Sequence, residues 1–224
     1  VKGVKIAFLA YTEMVNGLES TMSPEDLDAM VNIINEKKIS EDIAYAKGKN
    51  ADIIIACMHW GDEYSRTQAS RQEALADKLF TQGVDIILGS HPHVVQPAQL
   101  QEYDGKTKFV AYSMGNFLSN QRIETLEPYG MTESESKYTE DGVILDINIE
   151  KDGETGEVSI KNVRYIPLWV YKGKTEDGGT EHVVYPIMEY IESSELNEKT
   201  KTRMQRSLSD TSKQMQSLGI SAAE

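Results

Sequence analysis

The most constraining feature of this sequence is a strand–helix–strand pattern between residues 51 and 93, with histidines where the strands end. The apolar run ADIIIACMH ends at His59, a helical pattern follows, and the run VDIILGS ends just before His91 and His93. A unit of this size joins two parallel strands through a right-handed crossover. Because the carboxyl ends of parallel strands meet at one edge of an open α/β sheet, the three histidines are expected to converge there.

The residues before and inside this unit predict one more strand and three helices. Residues 4–11 (VKIAFLAY) are typical of a buried strand. Ser23, followed by proline, is typical of a helix start, and the apolar spacing of LDAMVNIINEK continues that helix. A second helix is expected over residues 40–48, and a third over residues 65–81, ended by Gly83.

After the histidines the pattern changes to antiparallel strands. Residues 98–103 and 107–113 flank an Asp-Gly turn, which is a strong hairpin signal. The polar segment 118–138 is expected to be a long loop. Residues 142–149 alternate as a strand, and residues 158–170 continue as its partner.

The C-terminal part of the chain predicts a strand end, a loop and a helical region. Pro167 is expected to place the end of the preceding strand at a sheet edge or bulge. Residues 172–179 are interpreted as a charged loop and residues 185–218 as helical. The segment after Gly219 is expected to fray.

Composition limits the kind of protein this chain can be. A net charge of −13 and a pI near 4.8 argue against a nucleic-acid partner, since no Lys/Arg cluster offsets them. Cys57 is the single cysteine, and its apolar run suggests a buried small side chain. No run approaches the ~18 apolar residues of a membrane span. The chain begins at Val1 with no visible signal peptide, so we expect a piece of a longer protein.

The histidines have the chemistry of metal ligands. Proline biases His91 toward extended backbone, in which side chains two residues apart point the same way. With His59 arriving from the parallel strand, three neutral imidazoles suit a borderline divalent metal. Each histidine taken alone is better explained as a polar loop residue, whereas three together at strand ends favour a site. His182 is interpreted as a surface residue.

Three polar residues near the histidines have several possible roles. Asp62 and Glu63 are candidates for a general acid or base, for a group that holds an imidazole, or for an acidic residue at a helix start. The last role is favoured for Asp62, and the choice for Glu63 stays open. Asn116 is a candidate donor to a substrate oxygen, although asparagine in a tight turn is often structural.

Several motifs occur in order: MHWGDEY, Gln72 within RQEALADKL, GVDIILGSHPHVVQP and VAYSMGNFLSNQ. Over residues 1–121 they resemble the second half of the capsule-synthesis CapA (PgsA) family, linked to poly-γ-glutamate capsules and similar to calcineurin-like metallophosphoesterases. The resemblance implies an α/β (α+β) fold, the second half of an α/β/β/α sandwich. Residues 1–170 would be the C-terminal portion of a CapA-like metallophosphoesterase-fold domain, and residues 171–224 a C-terminal loop and helical extension of the same domain.

The resemblance also implies a metal site. His59 matches an isolated histidine ligand, and His91 and His93 match the pair of a Gly-His-x-His motif, around two divalent ions of the Mn, Fe or Zn class. Glu63 and Asn116 would contact substrate or support the ligands. The remaining family ligands belong to a first half that is absent here, so we expect a partial site and an apolar face that another copy covers.

Three functional hypotheses follow. The first is a metal-dependent hydrolase that acts on a capsular polymer or on a small phosphoester or γ-glutamyl substrate, at the bacterial cell surface, anchored through a missing N-terminal segment. The second is a non-catalytic assembly component, in contact with other subunits of a polymer synthesis or export complex. The third, a structural metal held by the histidines, is disfavoured because structural zinc sites usually have four protein ligands.

Overall fold

The computed structural model describes residues 2–220, which form two packed sheets with helices around them. The helices and strands, in chain order, are β1 (Ile6–Thr12), α1 (Pro24–Met30), α2 (Glu36–Gly48), β2 (Ile53–His59), α3 (Ser70–Gln82), β3 (Ile86–Ser90), β4 (Ala98–Tyr103), β5 (Lys106–Ala111), α4 (Ile123–Leu126), α5 (Glu133–Ser136), β6 (Asp141–Lys151), β7 (Val158–Lys174), β8 (Thr180–Pro186), α6 (Ile187–Tyr190), α7 (Glu198–Gln214) and β9 (Gly219–Ile220). The first sheet has the strand order β1-β2-β3-β5-β4, and the second has the order β6-β7-β8, with β9 beside β7.

The predicted strand–helix–strand unit is confirmed. β2 and β3 pair in parallel, with His59 opposite Ser90, and β1 pairs in parallel with β2, with Thr12 opposite His59. Helix α3 ends at Gly83, which adopts a φ of 106° that glycine tolerates without strain. The carboxyl ends of three parallel strands therefore meet at one edge of the first sheet.

Two apolar layers hold the sheets and helices together, and they confirm the predicted α/β class. Helices α2 and α3 cover one face of the first sheet, with Ile39, Ile43, Leu79 and Phe80 packed against Ile54 and Ala56. The opposite face packs against the second sheet through Ile55, Ile86, Phe109, Val143 and Tyr165.

Helix α7 packs against β7, and the residues that follow it reach the first sheet. Its C-terminal neighbours Met215 and Leu218 belong to the apolar layer between the sheets, and Ser217 Oγ donates to the carbonyl of Ala98 in β4 at 2.5 Å. In the outer face of the second sheet, Arg164 pairs with Asp146 at 2.6 Å, both partly exposed. This polar pairing is typical of a face turned toward water.

The first helix is shorter than its apolar spacing predicts, because a tertiary contact ends it. Ser23 is the N-cap, as expected, and accepts a hydrogen bond from the backbone N–H of Asp26 at 3.1 Å. After Met30 the chain becomes extended and Ile34 N–H donates to the carbonyl of Thr12 at 2.8 Å. Helix α2 then begins at Glu36 rather than at residue 40, and α3 begins at Ser70 rather than at 65.

The segment 118–138 was predicted as a plain loop, which is wrong, since it contains the one-turn helices α4 and α5. A single turn is too short to produce a visible apolar period. The C-terminal prediction is also corrected. Strand β7 continues to Lys174, and Tyr185 lies in β8 opposite Trp169 instead of starting a helix. His182 is in the same strand.

Pro167 lies inside a strand that has a partner on each side, yet at that residue β7 is locally an edge. It pairs with Val143 of β6, whereas β8 pairs only from Leu168 onward and β9 only at Arg164 and Tyr165. A proline that lacks an N–H is tolerated there. Gly219 and Ile220 form β9 rather than a frayed end, and residues 221–224 of that prediction lie outside the described residues.

Candidate metal site

Three histidines meet at the carboxyl edge of the first sheet. His59 is the last residue of β2, and His91 and His93 follow β3 directly. The ring centroids of His59 and His91 are 4.5 Å apart, and those of His91 and His93 are 6.3 Å apart. The structure thus brings together the residues that the sequence singled out, through the parallel pairing of β2 and β3.

The backbone around these histidines is strained. Tyr64, His91 and His93 have φ values of 63°, 97° and 60°, in the left-handed region that disfavours side chains. The expected extended conformation of His91 is therefore wrong, and the loop after β3 turns sharply instead. Such residues cost about 1–3 kcal/mol each and persist where surrounding structure holds them, often at functional sites.

Two of the imidazoles are oriented by neighbouring side chains. His93 Nδ1 lies 3.1 Å from Asn116 Oδ1, while Asn116 Nδ2 donates to the carbonyl of Thr139 at 2.9 Å. Because the amide oxygen only accepts, His93 Nδ1 carries a proton, which in the neutral ring leaves the lone pair on Nε2. His59 Nδ1 lies 2.9 Å from Thr12 Oγ1. Partners of this kind fix the ring orientation of metal-binding histidines.

Thr12 and Tyr64 are site residues that sequence reasoning missed. Thr12 ends β1, so the rule that parallel strand ends share an edge was sufficient to find it. Tyr64 stacks on His93 with ring centroids 5.9 Å apart, and Gln121 Nε2 donates to its hydroxyl at 3.3 Å. No sequence pattern signals that contact.

The electrostatic environment favours neutral imidazole at His59. Burial lowers the pKa of His59, and the neighbouring His91 and His93 lower it further, against an opposing effect of Glu13 and Glu63. Neutral imidazole is the form that binds metals. Glu63 Oε1 lies 3.9 Å from His93 Nε2, which places one carboxylate beside the cluster.

The structure corrects the predictions made for two other residues, Asp62 and Cys57. Asp62 is not at a helix start, because α3 begins later, and its carboxylate pairs with Arg71 at 2.7 Å. Arg71 also binds Glu13 at 2.8 Å. Cys57 is half-buried rather than buried, and it lines a cavity of about 400 Å³ together with His59.

The histidines fit one side of a divalent-metal site. Their donor atoms are of the right type, and the side-chain partners of His59 and His93 leave Nε2 available. Within residues 2–220, however, no group of three or more His, Cys, Asp or Glu side chains is arranged to hold an ion. The described part of the chain therefore gathers metal-binding groups without closing a ligand set.

Comparison with known proteins finds relatives among capsule proteins. The family described as "Bacterial capsule synthesis protein PGA_cap" matches residues 1–121. Capsule biosynthesis protein CapA of Bacillus anthracis is 38% identical over 122 residues, which cover 54% of this chain and 28% of that protein. PGA biosynthesis protein CapA of Bacillus subtilis (strain 168) is 32% identical over 166 residues, which cover 71% of this chain and 36% of that protein. The chain spans about a third of the length of these relatives.

Among solved structures, the NAD nucleotidase NadN of Haemophilus influenzae is similar over 100% of this chain and 37% of its own. The TM-score is 0.40 and the sequence identity is 16%.

Proposed function

Because the chain belongs to the bacterial capsule synthesis protein family PGA_cap, we propose that it forms one side of the metal centre of a hydrolase in capsule biosynthesis. The observation that supports this most directly is the strained backbone of the two loops that follow β2 and β3, where Tyr64, His91 and His93 have left-handed conformations around the histidine cluster. His59, His91 and His93 are the proposed ligands. Residues outside this chain complete the set, consistent with the greater length of the relatives.

The proposed substrate is a phosphoester or γ-glutamyl bond, in a small molecule or in the capsular polymer. A divalent ion of the Mn, Fe or Zn class would supply Lewis-acid polarisation of the substrate oxygen. Asn116 holds the proton on Nδ1 of His93 and Thr12 orients His59, so both are positioning residues. We assign Glu63 the role of accepting a proton from an incoming group, and its partly exposed carboxylate, 3.9 Å from His93 Nε2, supports this.

We also propose a cell-surface location, because the relatives are named as capsule biosynthesis proteins. Attachment to the membrane and contacts with other subunits of a polymer-synthesis complex would then involve segments outside the described residues. Among helices within residues 2–220, none is long and apolar enough to cross a bilayer.

The metal proposal is tested by titrating Mn²⁺ and Zn²⁺ into the chain, with calorimetry and thermal shift as readouts. His91→Asn and His93→Asn are suitable variants because asparagine tolerates left-handed backbone. We expect each to weaken metal binding by about tenfold or more, as lost ligands or supporting groups commonly do. The control is His182→Asn, which removes the remaining histidine from β8, outside the cluster.

Equal metal affinity in the wild-type chain and in both cluster variants would contradict the metal assignment. Turnover is tested separately, in a full-length relative that carries the same histidines, with a chromogenic phosphodiester and a γ-glutamyl anilide. Hydrolysis that His91→Asn abolishes supports the enzyme, whereas unchanged hydrolysis in that variant overturns it.

A non-catalytic assembly component is the second candidate, favoured by the incomplete ligand set of residues 2–220. It predicts that a full-length relative has no hydrolytic activity, with or without substitutions in the histidine cluster. Polymer export would then depend on the fold alone. Capsule formation by cells that carry His91→Asn distinguishes the two functions. Normal capsule favours assembly, and a missing capsule with folded protein favours catalysis.

A further inference from the structure

A cleft of about 540 Å³ lies away from the histidines, between the end of β7, the start of β8, α4 and the start of α7. Five basic side chains line it, against one acidic side chain. The basic residues are Arg122, Lys172, Lys174, Lys199 and Arg203, and the acidic residue is Glu124. The side chains that line the cleft are thus mostly positive, although the chain as a whole has a net charge of −13. A cleft lined by one sign of charge concentrates ligands of the opposite sign.

The three lysines that line the cleft are available to a ligand. Among the ion pairs within residues 2–220, none involves Lys172, Lys174 or Lys199. Lys172 Nζ donates to Asn120 Oδ1 at 2.7 Å and Lys174 Nζ to Thr180 Oγ1 at 3.3 Å, so neutral groups hold both ammonium groups in place. The positive charge of the lysines is therefore not neutralised by the protein itself.

The two arginines show which anion the cleft accepts. Glu124 lies at its edge with the side chain about half-exposed, and its carboxylate receives hydrogen bonds from Arg122 Nε at 2.9 Å and Arg203 Nη1 at 2.5 Å. Burial raises the pKa of Glu124, but the hydrogen bonds from Arg203 and Arg122 outweigh it and lower the pKa to about 2. The same two arginines also pair with the buried carboxylate of Glu140, so the guanidinium pair already binds two carboxylates of the chain itself.

Two other residues that line the cleft are aromatic. Trp169 and Tyr171 have ring centroids 6.2 Å apart, and the rest of the lining is Gly173, Thr180, Asn197 and Thr200. Ammonium groups combined with aromatic ring surface match a ligand whose carboxylates are separated by short aliphatic spacers. A nucleic acid needs a basic surface that continues along its backbone, and the acidic balance of this chain opposes that.

From these contacts we propose that the cleft binds an acidic oligomer with repeated carboxylates, in which ligand carboxylates pair with Lys172, Lys174 and Lys199 and compete with Glu124 for the arginines. This binding requires no metal and is independent of the proposed hydrolase. A row of contacts connects the cleft with the histidines. Lys172 bonds Asn120, the adjacent Gln121 bonds Tyr64, and Tyr64 stacks on His93. A chain long enough to leave the cleft at this end would run toward the histidine cluster.

The test measures binding of a fluorescently labelled glutamate oligopeptide to the whole chain by anisotropy, with a chelator present to exclude metal bridging. We expect saturable binding that weakens steeply between about 50 and about 500 mM salt, because exposed charges are screened. The triple variant Lys172→Gln, Lys174→Gln, Lys199→Gln should lose about tenfold or more in affinity. Glu124→Gln should bind more tightly, since it removes the only acidic residue among those that line the cleft.

A matched control removes the same charge elsewhere, with Lys37→Gln, Lys106→Gln and Lys161→Gln on exposed surface. This variant should keep wild-type affinity within about twofold, and thermal melts confirm that all variants fold. Absence of saturable binding, an unchanged triple cleft variant, or an equal loss in the control overturns the proposal. So does a single-stranded DNA of equal charge that competes as well as the peptide.

Discussion

At the scale of single residues, Gly89 determines how closely β3 approaches the chain segment that leads to Asn116. A Cβ atom on Gly89 would lie 1.9 Å from the carbonyl oxygen of Tyr112. The same carbonyl accepts a hydrogen bond from Trp60 Nε1 at 3.0 Å, so it has little freedom to move aside. This close approach positions the loop of His91 relative to Asn116.

We expect Gly89→Ala to lower the free energy of unfolding by about 3 kcal/mol, because the added methyl group overlaps a backbone carbonyl. Urea denaturation followed by circular dichroism measures the loss. The control is Gly48→Ala at the end of α2, where an added Cβ meets no atom within 4 Å. Alanine there should raise stability by about 0.5–1 kcal/mol. Similar effects of the two substitutions would show that the close contact between residue 89 and the Tyr112 carbonyl does not determine the free energy of unfolding.

At the scale of elements, buried charged groups as well as apolar side chains join the start of β6 to β7 and α7. Glu140 is fully buried and accepts hydrogen bonds from Trp169 Nε1 at 2.9 Å and from Arg203 Nε at 3.2 Å. Arg206 Nη2 lies 3.5 Å from the buried carboxylate of Asp141. Buried ions are tolerated only with such partners, so these three elements depend on one another.

The cluster predicts that stability falls as the pH rises through neutrality. Burial raises the pKa of Asp141 to about 7, against an opposing effect of Arg206, and the negative charges of Glu140 and Asp210 add to the rise. The folded protein holds this proton more tightly than the unfolded chain does. Protonated Asp141 therefore adds to the free energy of unfolding in full below pH 3.8, and this stabilisation is lost as the pH rises through about 7. The slope for one group is at most about 1.4 kcal/mol per pH unit.

The measurement is the free energy of unfolding at several pH values between 5 and 8, in the wild-type chain and in Asp141→Asn. Asparagine is neutral at every pH, so the variant should show a flatter profile in this window. Parallel profiles would mean that another group causes the dependence.

At the scale of the whole molecule, the layer between the sheets is built from segments far apart in sequence. Ile55 and Phe109 come from the first sheet, Val143 and Tyr165 from the second, and Met215 from the residues that follow α7. Because Met215 is fully buried in the same layer, the C-terminal region is part of the core. The chain should therefore unfold as one cooperative unit.

Met215→Ala should lower the free energy of unfolding by about 2–5 kcal/mol through the cavity it leaves, with a single transition. Met188→Ala is the control, because Met188 is 45% exposed and its loss should cost less than about 1 kcal/mol. Far-ultraviolet and near-ultraviolet circular dichroism should give the same midpoint for Met215→Ala. Separate midpoints would show that α7 unfolds independently of the sheets.

The sequence by itself determined the features that depend on residues close together in the chain. Ser23 before proline predicted the start of α1. Two continuous apolar runs joined by a helical pattern predicted the parallel β2–β3 unit and therefore the shared edge of His59 and His91. The Asp104-Gly105 turn, with φ values of 50° and 74°, predicted the β4–β5 hairpin. Local conformational preference and periodic burial are properties of a short segment, so they can be read without the fold.

The tertiary structure alone decided which distant groups meet. Helix α1 stops at Met30 because the following residues pair with Thr12, and Tyr185 is in a strand because β7 pairs with it. The left-handed loop of His91 depends in the same way on contacts across the fold. The basic cleft likewise joins residues from four separate segments. An interaction with a residue far away in the chain is not visible in the local sequence pattern, because its stabilising energy is gained only when the fold brings both groups together.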